Sequence, residues 1–152
     1  MKVKIKKLHE FAVVPKYAID GDACFDLHAA TYHIDEMGNH VYGTGLAFEI
    51  PEGYVGLLFP RSSNSNKDLI LMNSVGIIDS GFRGEVSFKY RMKGLHDLNR
   101  KNANDITILR TYSVSDRIGQ MMIIPYPKIE FEEVNELSES KRGHGGYGST
   151  GK

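Results

Sequence analysis

The sequence predicts an all-β domain, and three observations carry that reading. Short apolar runs of strand length recur along the chain, separated by turn-forming residues at spacings of about 8–12 residues. No window holds a helical period over three turns. The chain has 152 residues and shows no internal repeat, so it reads as one β-sandwich or β-barrel with a core of its own.

The elements follow in order. Val3 and Ile5 alternate with Lys2, Lys4 and Lys6, the period of a half-buried strand. Val13-Val14-Pro15 breaks into a polar loop through Asp20-Gly21-Asp22. Phe25, Leu27 and Ala29 alternate around Asp26 and His28; Met37-Gly38-Asn39 is a turn; Leu46, Phe48 and Ile50 alternate again. Pro51-Glu52-Gly53 turns the chain into Tyr54–Phe59, an apolar run of buried-strand length. An exposed loop from Pro60 to Asp68 is expected next, because its seryl and asparaginyl side chains compete with the backbone for hydrogen bonds.

Val75 to Ile78 then reads as a strand, Asp79-Ser80-Gly81 as a tight turn, and Val86, Phe88 and Tyr90 as the returning strand of a hairpin. Gly94 to Asp105 reads equally as a hairpin tip or a short helical excursion. Ile106, Ile108 and Thr111–Val114 resume the strand pattern, Asp116–Gln120 leads into Met121–Pro125, and Ile129 and Phe131 finish the packed body. The expected organisation is a body over 1–134 and a flexible linker with a Gly-rich arm over 135–152.

Composition excludes more than it assigns. Nineteen Lys and Arg balance nineteen Asp and Glu, so no global field points to nucleic acid or an acidic membrane. The lone Cys24 forms no internal disulfide and fits a reducing compartment. No apolar run is long enough to span a bilayer, and the basic N-terminus lacks the apolar stretch of a signal peptide. A cytoplasmic location is expected, in a host's cytoplasm if the protein is viral.

Three segments exceed what structure alone requires. Arg61-Ser62-Ser63, directly after a buried strand, offers a guanidinium, two hydroxyls and successive backbone N–H groups, the makings of a phosphate nest. The tail carries five glycines in positions 143 to 151, with Arg142 at one end and Ser149-Thr150 at the other. Glycines let backbone wrap closely around a ligand, Arg142 and the hydroxyls suit phosphate, and Tyr147 offers a ring for a base. Asp26 and Asp79 stand as carboxylates at the ends of apolar strands. Singly, each of these has an ordinary explanation as a loop, a terminus or a turn residue.

Together and in this order, the chain closely resembles the trimeric dUTPase family. Five motifs carry the resemblance almost end to end: Asp22–Ala30, Pro60-Arg61-Ser62-Ser63, Gly76–Glu85 preceded by Asn73, Asp116–Gln120, and Arg142–Gly151. Phe82 stands where a tyrosine is usual and Tyr147 where a phenylalanine is usual, and both keep an aromatic face.

The resemblance implies a distorted jelly-roll-like barrel or sandwich. It implies Mg²⁺-dependent hydrolysis of dUTP to dUMP and pyrophosphate, limiting uracil incorporation into DNA and supplying dUMP for dTMP synthesis. Asp79 would activate the water that attacks the α-phosphorus, while Asp26 touches Mg²⁺ only through water, with no direct protein ligand to the metal. Arg61, Ser62, Ser63 and Gln120 would hold the phosphates, and Arg142, Ser149 and Thr150 would close over them. Asn73 and the backbone of Gly76, Ile77 and Ile78 would read the uracil. Phe82 would lie under the sugar, and Tyr147 with Gly148 would cover the base. The resemblance also implies a homotrimer whose sites are shared between subunits, acting on neither nucleic acid nor membrane. Rival readings are a deoxycytidine triphosphate deaminase, disfavoured by the complete tail and Asp79, an RNA-binding protein, disfavoured by neutral charge, and an idle regulatory module on the same scaffold, disfavoured by the intact Asp79.

Overall fold

The computed structural model describes residues 1–93 and 110–146. Its strands are β1 (Lys4–Lys7), β2 (Phe25–His28), β3 (Thr31–Ile34), β4 (His40–Gly43), β5 (Leu46–Glu49), β6 (Tyr54–Phe59), β7 (Leu69–Leu71), β8 (Gly76–Ile78), β9 (Ser87–Met92) and β10 (Arg117–Pro125). One 3-10 turn, Ser62–Asn66, interrupts them, and no α-helix occurs among the described residues. No helix there is long and apolar enough to cross a membrane.

The strands form two antiparallel four-stranded sheets, ordered β2-β10-β6-β8 and β3-β4-β9-β7, and a β1-β5 ribbon. The sheets bury one core between them. Leu27, Leu58, Ile78, Ile118 and Met121 come from the first sheet, Tyr42, Leu69, Leu71, Phe88 and Tyr90 from the second, and Leu46 and Phe48 from the ribbon. The arrangement is a sandwich rather than a closed barrel. The sheets pack tightly where Gly119 faces the Phe88 ring, since a Cβ at Gly119 would overlap the ring atoms. Beside that contact the Tyr90 hydroxyl donates to the Ile118 carbonyl, so the polar end of a fully buried ring is satisfied across the sandwich.

Three expectations are corrected. The strands around Asp79 do not pair as a hairpin: β8 pairs with β6 and β9 pairs with β4 and β7, in the other sheet. The reason lies at the corner between β4 and β5. Thr44 N–H and Oγ1 both donate to Val86 O, Val86 N–H donates to Leu46 O, and Glu85 Oε1 accepts from Gly45 N–H at 2.7 Å. Residues 85–86 are thereby drawn across to the second sheet before β9 begins. The turn itself stands, closed by Phe82 N–H to Asp79 O at 3.0 Å.

Thr111–Val114 is not a strand; Tyr112 is buried there as a single plug between Tyr42 and Tyr90. Ile129 and Phe131 do not finish the packed body. They are exposed, Phe131 by 92%, and the packed chain ends where Tyr126 N–H reaches Gly53 O. The readings of Gly94–Asp105, Ile106 and Ile108 lie outside the described residues.

Candidate functional site

Asp26 is the second residue of β2, within the strand rather than at its end, with Gln120 of β10 directly across from it and Phe59 of β6 across from Gln120. This register sets a carboxylate, an amide and the end of β6 in one row. The chain leaving β6 therefore delivers Arg61 and Ser62 onto the same spot. Arg61 Nε donates to Asp26 Oδ1 at 2.7 Å, and Arg61 Nη1 donates to Ser63 Oγ at 3.1 Å. Arg117, at the start of β10, donates from Nη1 to the other oxygen, Asp26 Oδ2, at 3.1 Å. Gln120 Nε2 donates to Pro60 O at 3.1 Å, which fixes the amide beside the loop.

These side chains wall a cavity of about 380 Å³ lined also by Ala18, Asp22 and Cys24. It is open and polar, with two guanidiniums at its floor, a suitable receptacle for a polyanion. Burial, together with the Asp26 and Asp22 carboxylates, pushes the Cys24 thiol up, so Cys24 is a neutral wall residue and not a thiolate nucleophile. Next to the cavity, burial lowers the pKa of His28; Asp26 opposes that shift, while Arg117 and Arg61 reinforce it.

A second candidate region lies at the opposite end of the first sheet. Ser74 takes φ 57, and Val75 N–H closes on Asn73 O, so the chain folds tightly before entering β8. Gly76 is buried, and a Cβ there would stand 3.0 Å from Leu58 side-chain atoms and 3.3 Å from Asn73 Nδ2. The missing side chain is what lets the Asn73 amide lie against the strand. Ile77 is exposed and Ile78 buried, as alternation requires. Asp79 is exposed at the end of β8, and Arg83 Nη1 donates to Ser80 O and Phe82 O, tying down the turn that carries it. The half-exposed Phe82 ring lies over Gly84.

The two regions do not meet. Ile78 pairs with Gly56 near the start of β6, whereas Asp26 is level with Phe59 at its end, with β10 and β6 between the two strands. At about 4.8 Å per strand and about 3.3 Å per residue, Asp79 and Asp26 are roughly 20 Å apart. The cavity thus gathers Asp26, Arg61, Ser62 and Gln120, with Ser63 one bond away, but not Asn73, Asp79 or Phe82.

In the tail, Arg142 is exposed and donates from Nε to Gly145 O, inside a turn made possible by Gly143 at φ 49. Tyr147, Gly148, Ser149 and Thr150 lie outside the described residues. Arg117 was missed by sequence reasoning. No local pattern pointed to it: its place beside Asp26 follows from the β2–β10 pairing, which the sequence does not show.

No group of three or more metal-ligating side chains occurs among the described residues. Asp26 already has a guanidinium on each oxygen, an arrangement suited to an ion held through water rather than bound directly.

Comparison with known proteins shows the family. The model of a family described as dUTPase matches residues 10–151. A deoxyuridine 5'-triphosphate nucleotidohydrolase of Nautilia profundicola is 40% identical, covering 100% of both chains. Its counterpart in Corynebacterium glutamicum is 39% identical over 99% of this chain and 95% of its own. A dUTPase of Staphylococcus bacteriophage 80alpha, solved with dUpNHpp, superposes with a TM-score of 0.80 at 28% identity, covering 99% of each chain. The dUTPase of phage phi11 of S. aureus, described with a structural Mg(II) ion, gives 0.71 at 25% identity over 90% of this chain and 99% of that one.

Proposed function

The chain belongs to the dUTPase family and is a dUTP nucleotidohydrolase, and from that premise we propose that it assembles its active site from two copies of the first sheet. The observation that carries this reading is the separation of roughly 20 Å between Asp79 and the Asp26–Arg61 pair within one chain. Water attack at a phosphorus atom needs nucleophile, base and phosphate clamp within a few ångströms. One chain does not supply that, whereas the cavity of one copy set against the Asp79 turn of a neighbour does. A closed homotrimer is the arrangement we infer.

In this site Arg61, Ser62, Ser63 and Gln120 take the phosphate chain. The Arg61 Nη2 group carries none of the hydrogen bonds found among the described residues and is available to a phosphate oxygen. Asn73 and the backbone at Gly76, Ile77 and Ile78 pair with uracil. Cytosine reverses the donor and acceptor pattern at N3 and C4, leaving buried groups unpaired at about 1–3 kcal/mol each. Phe82 underlies the sugar, on the exposed face that its 42% accessibility leaves to a ligand.

Asp79 orients and deprotonates the water, which attacks the α-phosphorus; the bond to the β-phosphate oxygen breaks, leaving dUMP and pyrophosphate. When bound to the phosphates, Mg²⁺ would supply charge neutralisation, and Asp26 would hold it through water. The arm beyond residue 134 brings Arg142, Tyr147, Gly148, Ser149 and Thr150 over the bound nucleotide and excludes water.

Complementation tests the reading. Asp79→Asn and Arg61→Ala are each expected to be inactive as pure proteins. Refolded together at equal ratio, they regain about a quarter of wild-type turnover, because a site with both native residues then forms by chance in one quarter of the neighbouring pairs. A mixture as inactive as its components refutes shared sites.

A further inference from the structure

The 3-10 turn that carries the phosphate loop has little to hold it in place by itself. Ser62–Asn66 buries none of its residues, and its first turn has no side-chain cap. A five-residue 3-10 segment is already longer than most. Besides the Arg61 Nη1 bond to Ser63 Oγ and the Lys93 Nζ bond to Lys67 O at 2.7 Å, the side chains of Asn64 and Lys67 link it to the body. Asn64 Nδ2 donates to Leu69 O at 3.0 Å, and Asn64 Oδ1 accepts from the Tyr112 hydroxyl at 2.9 Å. Immediately after the turn, Lys67 Nζ donates to Thr111 O at 2.7 Å and stands 4.7 Å over the Tyr112 ring. Three of these ties run to Tyr112 or to its neighbour Thr111.

Tyr112 is itself immobilised. It is 6% exposed, packs edge-on to Tyr42 and tilted against Tyr90, and its carbonyl accepts from the Tyr42 hydroxyl at 3.2 Å. A rigid aromatic cluster therefore ends in one hydroxyl aimed at the middle of the loop. Within the loop, Asn64 N–H bonds to Arg61 O and Lys67 N–H to Asn64 O, so a shift at Asn64 is transmitted to Arg61 and to the hydroxyls of Ser62 and Ser63.

We propose that Tyr112 is a positioning residue for triphosphate binding, acting through Asn64 to set the Ser62–Asn66 turn against the phosphate chain. This rests on the reading of that turn as the phosphate clamp. Tyr112 touches no reacting atom; its effect is confined to the phosphate half of the substrate, because the base-reading turn belongs to the other end of the sheet.

The test compares two inhibitors of dUTP hydrolysis in the assembled enzyme with Mg²⁺: the imido analogue dUpNHpp, which carries the phosphates, and deoxyuridine, which carries none. Tyr112→Phe keeps the ring, its packing and the Lys67 contact, and removes only the hydroxyl. Tyr112→Phe and Asn64→Ala are each expected to weaken dUpNHpp about tenfold and to leave deoxyuridine within about twofold, the scale of one hydrogen bond lost. The double variant should be no weaker than Asn64→Ala alone, since that change already removes the Tyr112 link together with the bond to Leu69 O. Parallel loss of both inhibitors, or additive losses in the double variant, overturns the proposal. Ser62→Ala and Ser63→Ala separate it from the reading beneath it. If these weaken dUpNHpp while Tyr112→Phe does not, the clamp stands and the positioning role fails. If neither serine variant weakens dUpNHpp, the clamp itself fails, and the proposal with it.

Discussion

Arg61 and Asp26, 35 positions apart in sequence, meet through Nε and Oδ1 at 2.7 Å, and that bond fixes which face of the Arg61 guanidinium remains for substrate. Arg117 takes the other oxygen, so Asp26 is held at both ends and its direction is set by two strands rather than by its own rotamer. The isosteric amide of Asp26→Asn presents a nitrogen donor to one of these guanidiniums and loses the charge. A fall in kcat/KM of about a hundredfold is expected for Asp26→Asn and about tenfold for Arg117→Gln, with Arg117→Lys between them and wild type. Pyrophosphate release measured across a Mg²⁺ series checks this. Wild-type kinetics in Asp26→Asn would show that the carboxylate has no part in the site.

His28, paired in register with Arg117, gives the fold an acid sensitivity. Its Nδ1 is buried without a hydrogen-bond partner, and burial, helped by Arg117 and Arg61 against Asp26, lowers its pKa from 6.5. Below about 6.5 the unfolded chain therefore takes up a proton that the folded chain resists. The stability associated with His28 is complete above that pH and is lost as the pH falls toward the folded value. His28→Gln should flatten the decline in Tm between pH 6.5 and 5. An unchanged slope would assign the acid sensitivity to other groups.

Gly119 faces the other sheet with the Phe88 ring occupying the space of its absent side chain. Phe88 is 1% exposed and has no room to move away. Gly119→Ala is therefore an overpacking substitution, expected to cost about 1–3 kcal/mol in urea unfolding. Gln120 follows directly, so the same change should raise KM for dUTP. Gly53→Ala provides a contrast: nothing stands within 4 Å of its Cβ position, and its cost arises from φ +83 alone.

The parts legible in the sequence are those fixed by local patterning. β6 matches the apolar run from Tyr54 to Phe59 because the Pro51–Gly53 turn and the polar loop bound it on both sides. Of the cavity residues, Arg61 and Ser62 were legible from phosphate chemistry and Asp26 as a carboxylate on an apolar strand, while Gln120 came only with the family resemblance. What escaped was pairing. Strand periodicity shows which face of Phe88 and Tyr90 is buried but not which neighbour they pair with, and the Thr44–Leu46 corner that captures Val86 is 40 residues away. Tyr112 was read as part of a strand because one buried aromatic between polar residues imitates alternation. Ile129 and Phe131 alternate faithfully with glutamates, yet nothing among the described residues covers them, and alternation alone does not say which surface an apolar side chain meets.

Asp68 joins the phosphate loop to both ends of the segment from 94 to 109. Its backbone N–H donates to Arg110 O, its carboxylate Oδ2 accepts from Arg110 N–H at 2.9 Å, and its carbonyl accepts from Lys93 N–H at 2.9 Å. The Arg110 backbone N–H holds the Asp68 carboxyl below the usual carboxylate range. Since the chain leaves at Lys93 and returns at Arg110 on the same residue, the two ends are close enough for a short turn to join them. Replacing 94–109 with a four-residue Gly/Ser turn should leave a folded enzyme with dUTP turnover within about threefold of wild type, because closure entropy changes little with the length of chain joining two ends already held together. Asp68→Ala should be the more damaging change. It removes the buried carboxylate, 3% exposed, that accepts from the Arg110 N–H, and losing a hydrogen bond to a charged group costs about 1.5–3 kcal/mol. Urea unfolding and pyrophosphate release on the two variants check the pair. A shortened chain that fails to fold while Asp68→Ala folds normally would reverse the assignment, making the segment, and not the Asp68 clasp, the element that holds this side of the sandwich together.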